Sequence, residues 1–265
     1  MAEPEKLTPE QIKSLFDLSG KTAVVTGGAG AFGEAVAVGL AAYGADVAVT
    51  SRNIEALEKV AGEIEAYGRK AKAVRCDVAD EAGVEGMVRE VLDEFGSIDI
   101  LVTSAGIAKR FPAEDMPIDE WQHVMDVNVR GTFLACKHVG RHMIERGGGK
   151  IVTVSSIRGL LGHPGGYSAY GTSKGAVHLL TRQLATEWAK YKINVNSIAP
   201  CIFWTPLTKE VLEDEELYKV FMQRIPWGRA AVPDDFIGTA VYLASAASDF
   251  VTGQILYVDG GSSAG

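Results

Sequence analysis

The stretch Thr22-Ala23-Val24-Val25-Thr26-Gly27-Gly28-Ala29-Gly30-Ala31-Phe32-Gly33 decides the fold. Its first five residues are apolar or β-branched, which predicts a buried strand. The Ala-rich segment from Ala31 to about Tyr43 predicts a helix. Glycines between a strand and a helix allow a tight turn, and they let the backbone approach a pyrophosphate that the helix N-terminus stabilises. A turn that binds nothing can have the same glycines, so the interpretation depends on the rest of the chain.

Short apolar strands and helices continue to alternate along the chain. Further strands are predicted at residues 46–50, 71–76, 98–103, 151–154, 193–198 and 255–258. Further helices are predicted at about 53–67, 81–95, 118–146, 167–191, 207–223 and 233–246, and a short helix capped by Thr8 precedes the first strand. This pattern indicates an α/β chain: a single-domain, Rossmann-type doubly wound fold with a seven-stranded parallel sheet and helices on both faces. We expect one domain over residues 1–265, with residues 1–17 as an N-terminal extension.

The composition limits the classes of partner. A chain of 265 residues, 47% of them hydrophobic, can bury a large core, and a net charge of −8 argues against nucleic acid. The longest apolar runs are too short to span a membrane, and residues 1–6 have no apolar signal region. The three cysteines are scattered (Cys76, Cys136 and Cys201), so we expect neither a disulfide framework nor a metal site, and a reducing, cytoplasmic compartment.

A Tyr and a Lys lie four residues apart in the predicted helix at 167–191. The side chains of Tyr170 and Lys174 would project from the same face. A phenol has a pKa near 10, and a nearby ammonium would lower it, so that Tyr170 could exchange a proton as an alcohol becomes a ketone. An exposed amphipathic helix explains the spacing alone equally simply. Tyr167 is the other candidate base, but Gly171 rather than a Lys follows it by four residues.

From about Leu18 to Gly261 the chain resembles the short-chain dehydrogenase/reductase family. The family's Thr-Gly-x-x-x-Gly-x-Gly turn falls on Thr26, Gly27, Ala31 and Gly33, with Ala31 in place of the middle glycine. Two further motifs of the family follow the third and fourth strands as Asp77-Val78 and Thr103-Ser104-Ala105-Gly106, the latter in place of Asn-Asn-Ala-Gly. The resemblance implies an NAD(P)-dependent oxidoreductase that acts on CH–OH groups.

The family's catalytic residues map onto Asn128, Ser156, Tyr170 and Lys174. By this resemblance Asn128 holds a water that continues the proton path from Lys174, although a polar residue that kinks a buried helix would look the same. Ser156 holds the substrate oxygen, and Gly159 follows it by three residues as in the family, while Ser155 stays a second candidate. Tyr170 is the acid/base, and Lys174 also binds the ribose hydroxyls.

The implied cofactor site lies at strand ends and in the turns that follow them. Its predicted residues are Gly27, Gly30, Ala31, Phe32, Gly33, Ser51, Arg52, Asp77, Val78, Ser104, Ala105, Gly106, Tyr170, Lys174, Pro200, Phe203 and Thr205. The second strand ends in Ser51-Arg52 with no carboxylate, and an Arg can pair a phosphate in bidentate fashion, so we predict a preference for NADP(H), with NAD(H) possible. An ordinary exposed loop Arg is the alternative. Cys201, where the family has Gly, is interpreted as a small apolar filler.

The substrate is predicted from loop charges and from a narrower similarity. Arg158, His163 and Trp204 are the predicted substrate contacts, and a cationic rim of Lys109 and Arg110 could orient a carboxylate. Solvated loop charges are an equal alternative. Residues 15–21 and 253–261 are similar to gluconate 5-dehydrogenases and related sugar-acid or polyol dehydrogenases, which implies a small polar substrate.

Two other functions are compatible with the motifs. One is a 3-oxoacyl-thioester reductase, which performs the same chemistry on a longer acyl chain. The other is a non-catalytic NADP-binding sensor or scaffold, which fold alone does not exclude. The family resemblance also implies a lid over the substrate at about residues 206–224, and a homotetramer with helices 118–146 and 167–191 at an interface.

Overall fold

A computed structural model describes residues 6–205 and 208–264, which contain a seven-stranded sheet with neighbouring strands in the order β3-β2-β1-β4-β5-β6-β7. All neighbouring strands are parallel. The strands are β1 Thr22–Thr26, β2 Asp46–Ser51, β3 Ala71–Arg75, β4 Ile100–Thr103, β5 Gly149–Val154, β6 Ile193–Pro200 and β7 Ile255–Val258. The strand order reverses between β1 and β4, and a crevice for ligands is expected at that point. The predicted fold class is confirmed.

The helices follow the predicted alternation closely. They are α1 Pro9–Ser14, α2 Ala31–Ala42, α3 Ile54–Ala66, α4 Glu81–Phe95, α5 Ile118–Met125, α6 Gly131–Arg146, α7 Ser168–Trp188, α8 Lys209–Glu213, α9 Glu215–Met222 and α10 Ile237–Ala244. Thr8 caps α1 and Asn53 caps α3, as their sequences predict. The helix predicted from residue 207 is two short helices, α8 and α9, and Pro206 and Leu207 lie outside the described residues.

The helix predicted at 118–146 is interrupted by a π-helical turn, Asp126–Arg130, between α5 and α6. Here the Gly131 N–H donates to the Asp126 carbonyl, five residues back, so one extra residue is accommodated in the turn. The Thr132 hydroxyl donates to the Asn128 carbonyl at 2.8 Å. The turn places Asn128, a fully buried residue, in the interior of a continuous helical stretch that hydrophobic periodicity alone treats as regular.

Alternate residues of each strand face opposite sides of the sheet, and helices bury both sides. Val25 and Val49 pack with Val36 and Leu40 of α2, whereas Val24 belongs to the second core that α4, α6 and α7 complete. Strands buried on both faces explain why the sequence reads as continuous apolar runs rather than as alternating ones. Within the part of the chain that the structure describes, no helix is both long enough and apolar enough to cross a bilayer.

Gly27 shows why the first turn needs glycine. Its φ is +68°, which favours glycine, and an added Cβ would lie 2.6 Å from the backbone nitrogen of Ala105. The turn after β1 therefore packs directly against the turn after β4. Gly33, in the first turn of α2, also allows a close approach, because a Cβ there would overlap the Gly27 carbonyl oxygen. The two glycines bring α2 and the β4 turn together at the carboxyl edge of the sheet.

Candidate active site

Ser156 and Tyr170 lie at the carboxyl end of β5 and in the first turn of α7. The Ser156 hydroxyl accepts a hydrogen bond from the Arg158 N–H at 3.1 Å, and it lies 3.4 Å from the Pro200 carbonyl at the end of β6. Burial raises the pKa of Tyr170, and the Ser156 hydroxyl and then Arg158 act in the opposite direction. Ser155, the second candidate, donates its hydroxyl to the Lys174 carbonyl at 2.9 Å. Ser155 therefore anchors α7, and Ser156 is the serine beside the phenol.

Lys174 is a buried residue of α7, one helical turn after Tyr170. Its side chain donates to the Val154 carbonyl at 2.9 Å, and its nitrogen lies 5.7 Å from the centre of the Tyr170 ring. Burial lowers the pKa of Lys174 to about 8. The predicted lowering of the Tyr170 pKa by Lys174 is wrong for this structure, because burial of the phenol dominates and raises that pKa. Sequence spacing placed the two residues together but carried no information about their burial.

Asn128 joins the π-helical turn to the turn after β4. Its amide oxygen accepts from the Ile107 N–H at 2.8 Å, and its amide nitrogen donates to the Ile107 carbonyl and to the Ser173 hydroxyl, both at 2.9 Å. An added Cβ at Gly106 would lie 3.3 Å from the Asn128 amide oxygen and 3.4 Å from the Lys174 nitrogen. Asn128 and Lys174 therefore meet at Gly106. The water-holding role of Asn128 stays a prediction.

A cavity of about 730 Å³ opens beside the turn after β1. Among the residues that line it are nine predicted cofactor contacts: Gly27, Gly30, Ser51, Arg52, Asp77, Val78, Ser104, Ala105 and Gly106. Ala31 begins α2, and its cap Gly30 offers no side chain to the first N–H groups of the helix. Those N–H groups and the glycine turn suit a pyrophosphate, so the residues present fit a dinucleotide.

The turn after β4 keeps its hydrogen bonds although it lacks the family's two amides. The Ser104 hydroxyl donates to the Thr26 carbonyl, and the Ala105 N–H donates to the Thr26 hydroxyl at 3.4 Å. Hydroxyl groups therefore fasten the turn to the end of β1. Ala105 and Gly106 leave the backbone of this turn facing the cavity.

Some of the predicted cofactor residues do not line the dinucleotide cavity, among them Phe32, Pro200, Phe203 and Thr205. The Phe32 side chain packs in the core against Phe203 and Phe236, with ring centres 6.3 and 5.1 Å away, so only the Phe32 backbone could meet a ligand. The Phe203 ring lies in the same aromatic cluster, and the Thr205 hydroxyl is 3.0 Å from the Thr208 hydroxyl. The cofactor contacts of Pro200, Phe203 and Thr205 stay predictions.

A second cavity, of about 670 Å³, lies beyond Tyr170 and has a cationic wall. Arg110, Arg158 and His163 all line it, together with Tyr167. The Arg110 guanidinium stacks over the Tyr167 ring at 5.0 Å, and the ring centres of Tyr167 and Tyr170 are 6.0 Å apart. Burial and then the Arg158 charge lower the pKa of His163, which makes this imidazole neutral near pH 7. The positive charge of the wall therefore comes from Arg110 and Arg158, and the carboxylate of Glu114, which lines the same cavity, offsets part of it.

Two predicted substrate residues lie elsewhere. Trp204 is outside both cavities, and its backbone N–H donates to the Ala231 carbonyl at 2.9 Å. Lys109 pairs with Glu120 at 3.2 Å and does not line the cationic cavity. Two residues that line cavities were not predicted from the sequence. Tyr167 was considered only as a base, and the only signal for Arg224 was a basic residue just after the charged segment of α9.

Comparison with known proteins decides the family. A family model described as enoyl-(acyl carrier protein) reductase matches residues 27–263. Gluconate 5-dehydrogenase of Gluconobacter oxydans is 41% identical over 247 residues, which cover 93% of this chain and 96% of that protein. The chain belongs to the short-chain dehydrogenase/reductase family. As a member of that family it is an NAD(P)-dependent oxidoreductase, as its motifs predict.

Two further relatives agree with this assignment. The 2-dehydro-3-deoxy-D-gluconate 5-dehydrogenase of Bacillus subtilis is 43% identical over 248 residues, 93% of this chain and 96% of that protein. A crystal structure of a gluconate 5-dehydrogenase from Burkholderia cenocepacia in complex with NADP and tartrate superposes with a TM-score of 0.91 at 38% identity. The match covers 95% of this short-chain dehydrogenase/reductase and 98% of the Burkholderia chain.

Proposed function

We propose that this short-chain dehydrogenase/reductase uses NADP(H) to interconvert a secondary alcohol and a ketone on a small sugar acid. Two kinds of support converge. The relatives at about 40% identity are named for gluconate and 2-dehydro-3-deoxy-D-gluconate, and the Burkholderia structure contains NADP. The observation that carries the proposal is the arginine wall beside Tyr170, which suits a carboxylate.

The proposed chemistry assigns one task to each polar side chain. The nicotinamide, when bound, supplies the hydride acceptor or donor. The Ser156 hydroxyl holds the substrate oxygen. The Tyr170 phenolate takes the hydroxyl proton during oxidation and becomes a phenol, and during reduction the phenol returns that proton. Lys174 passes the proton onward and orients the ribose, while Asn128 fixes the Ile107 backbone beside it.

A panel of substrates tests the proposed substrate class. The panel contains D-gluconate and 5-keto-D-gluconate, the neutral polyol glucitol, and a 3-oxoacyl thioester. Because a charge-assisted hydrogen bond contributes about 1.5–3 kcal/mol, we expect kcat/KM for the sugar acid to exceed that for the polyol by roughly 10- to 100-fold. Turnover of the acyl thioester without turnover of any sugar acid would instead support a 3-oxoacyl-thioester reductase.

Arg52 is proposed to select NADP(H) over NAD(H). It lines the dinucleotide cavity just after β2, and Glu55, in the first turn of α3, is a carboxylate on the same wall. Arg52→Ala should raise the dissociation constant of NADP roughly 10- to 100-fold, because a charge-assisted contact to the phosphate is lost. The dissociation constant of NAD should barely change. Fluorescence titration with each nucleotide measures both constants.

Glu55→Gln is the matched control for Arg52→Ala. It changes a charge on the same wall of the cavity without removing the guanidinium. If Arg52 selects the phosphate, Glu55→Gln leaves the affinity for NADP intact. A loss of NAD affinity in Glu55→Gln, with NADP affinity unchanged in Arg52→Ala, would mean that Glu55 binds the ribose and that the enzyme prefers NAD.

The assembly, lid and compartment are also proposals. A homotetramer is supported by exposed apolar side chains on the predicted interface helices, Phe133 on α6 and Leu179 on α7, and a sedimentation mass of one chain would exclude it.

The lid at about 206–224 would comprise α8 and α9, although residues 206 and 207 lie outside the described part. The single domain over 1–265 fits one continuous sheet, although residues 1–5 and 265 are also outside that part. Three buried free thiols suit a reducing, cytoplasmic compartment, which fractionation of cells would test.

A further inference from the structure

A separate cavity of about 400 Å³ lies under α9 and contains two guanidinium groups. Arg158 enters it from the loop after β5, and Arg224 enters it from the end of the proposed lid. The other walls are mostly apolar, with Ile157, Leu161, Cys201 and Phe221 among them. Arg158 also lines the larger cationic cavity, so it belongs to both. Arg158 is half-buried and Arg224 is exposed, and both like charges border the same cavity.

No carboxylate in the described part of the chain neutralises these two charges. Arg158 and Arg224 form no ion pair there, and Arg158 bonds only the Gly162 carbonyl, at 3.3 Å, through its side chain. Burial lowers the pKa of Arg158. Of the neighbouring groups, Tyr167 raises that pKa and the charge of Arg224 lowers it. Burial raises the pKa of Cys201 to about 11, so this thiol is neutral as well. The cavity therefore has an excess of positive charge.

Two acids whose charges act on Cys201 in this cavity already have partners. Asp235 pairs with Arg229 at 2.6 Å. Asp259 accepts hydrogen bonds from the Gly261 and Ser263 N–H groups at 3.0 and 2.8 Å. The half-buried Arg158 guanidinium has the like charge of Arg224 beside it and no carboxylate partner in the described part of the chain, and a bound anion would offset the cost of that arrangement. The pair is therefore suited to a negatively charged ligand.

We propose that Arg158 and Arg224 form a carboxylate subsite under α9, so that Arg224 is a specificity-determining residue supplied by the lid. This inference rests on the proposed function only for the identity of the substrate, a sugar acid whose reacting carbon meets Ser156 and Tyr170. Arg158 is placed to connect the two sites, because its N–H donates to the Ser156 hydroxyl while its guanidinium lines the cavity. An acid group bound between the two arginines also holds α9 against the loop after β5.

The Phe221 ring supports a link between the lid and the reaction centre. It lies parallel to the His163 ring at 6.1 Å, and His163 meets the Tyr167 ring edge-on at 5.1 Å. Tyr167 in turn neighbours Tyr170. A chain of aromatic contacts thus joins α9 to the catalytic phenol, and the same helix carries Arg224 just beyond its end. Occupation of the subsite would hold these rings in place.

Binding of tartrate and of threitol, its neutral four-carbon counterpart, tests the subsite without requiring turnover. Calorimetric titrations use the full chain saturated with NADP. We expect Arg224→Gln to weaken tartrate binding about 10- to 100-fold, because one charge-assisted contact is lost, and to leave threitol binding unchanged. Arg224→Lys keeps the charge but loses the planar fork, and should weaken tartrate binding by less.

Lys219→Gln is the matched control, because it removes the same charge from α9 at an exposed position paired with Glu215 and Glu216. It should bind tartrate like the wild type. Wild-type affinity in Arg224→Gln, an equal loss in Lys219→Gln, or an equal loss of threitol binding would each overturn the subsite. Expected tartrate results in an enzyme that turns over no sugar acid would uphold the subsite while refuting the proposed substrate.

Discussion

Tyr170→Phe is expected to lower kcat for sugar-acid oxidation by about 10²- to 10⁴-fold, the contribution typical of a positioned general acid/base. The change removes only the phenol oxygen, and the ring that packs 6.0 Å from Tyr167 remains. The Ser156 hydroxyl and the arginine wall are untouched, so KM should change far less than kcat. Steady-state kinetics with D-gluconate and NADP, at a pH where the wild type is saturated, measures the effect.

Tyr167→Phe provides the control for the loss of a phenol. Tyr167 stands one helical turn earlier, at the entrance to α7, and lines the cationic cavity. This variant should keep most of its kcat, because its ring still supports Arg110. If the two variants lose kcat equally, Tyr170 is not the specific acid/base. A wild type that binds NADP but turns over nothing across the carbonyl panel would instead favour a sensor or scaffold.

The sequence predicted the fold well because strand and turn signals are local. Apolar runs bounded by glycine identify the strands of a sheet that is buried on both faces, and Asn53 and Thr8 are caps readable from residue type alone. The π-helical turn at Asp126–Arg130 was not predicted, because one extra residue in a helix leaves the apolar pattern almost unchanged. Its position depends on the tertiary contacts of Asn128.

The candidate site was predictable where residues are close in sequence and less so where they are not. Tyr170 and Lys174 share a helix, so their proximity follows from spacing. The approach of Arg224 to Arg158 depends on how α9 packs over the loop after β5, which no local signal contains. The position of the Trp204 side chain was not predictable for the same reason: it lies outside both cavities and is partly exposed.

Burial of Lys174 makes folding stability depend on pH in a defined direction. Burial lowers its pKa from 10.5 to about 8 in the folded chain. Between those values the unfolded chain binds a proton that the folded chain lacks, so the free energy of unfolding rises with pH. Below about pH 8 both states carry the charge, and the folded state bears the full cost of burying it. If Lys174 served only the fold, an apolar side chain could replace it with little loss in the free energy of unfolding.

Lys174→Met should therefore separate the stability cost of this residue from its use. From pH 7 to about pH 9.5, the free energy of unfolding of the wild type should rise by roughly 2 kcal/mol relative to the variant. The lost bond to the Val154 carbonyl shifts the comparison by an amount that does not depend on pH. Urea unfolding of both proteins across this range measures the difference. Lys59→Met, which removes an exposed lysine of α3, is the control.

The same variant should lose kcat and bind NADP more weakly, because Lys174 is proposed to pass the proton onward from Tyr170 and to hold the ribose. A difference in unfolding free energy that stays constant from pH 7 to about pH 9.5 would show that Lys174 keeps an ordinary pKa in the folded chain. If the expected slope appears together with the loss of turnover, the chain retains at Lys174 a buried amine that costs stability at neutral pH. Such a cost is consistent with a residue kept for proton transfer rather than for folding.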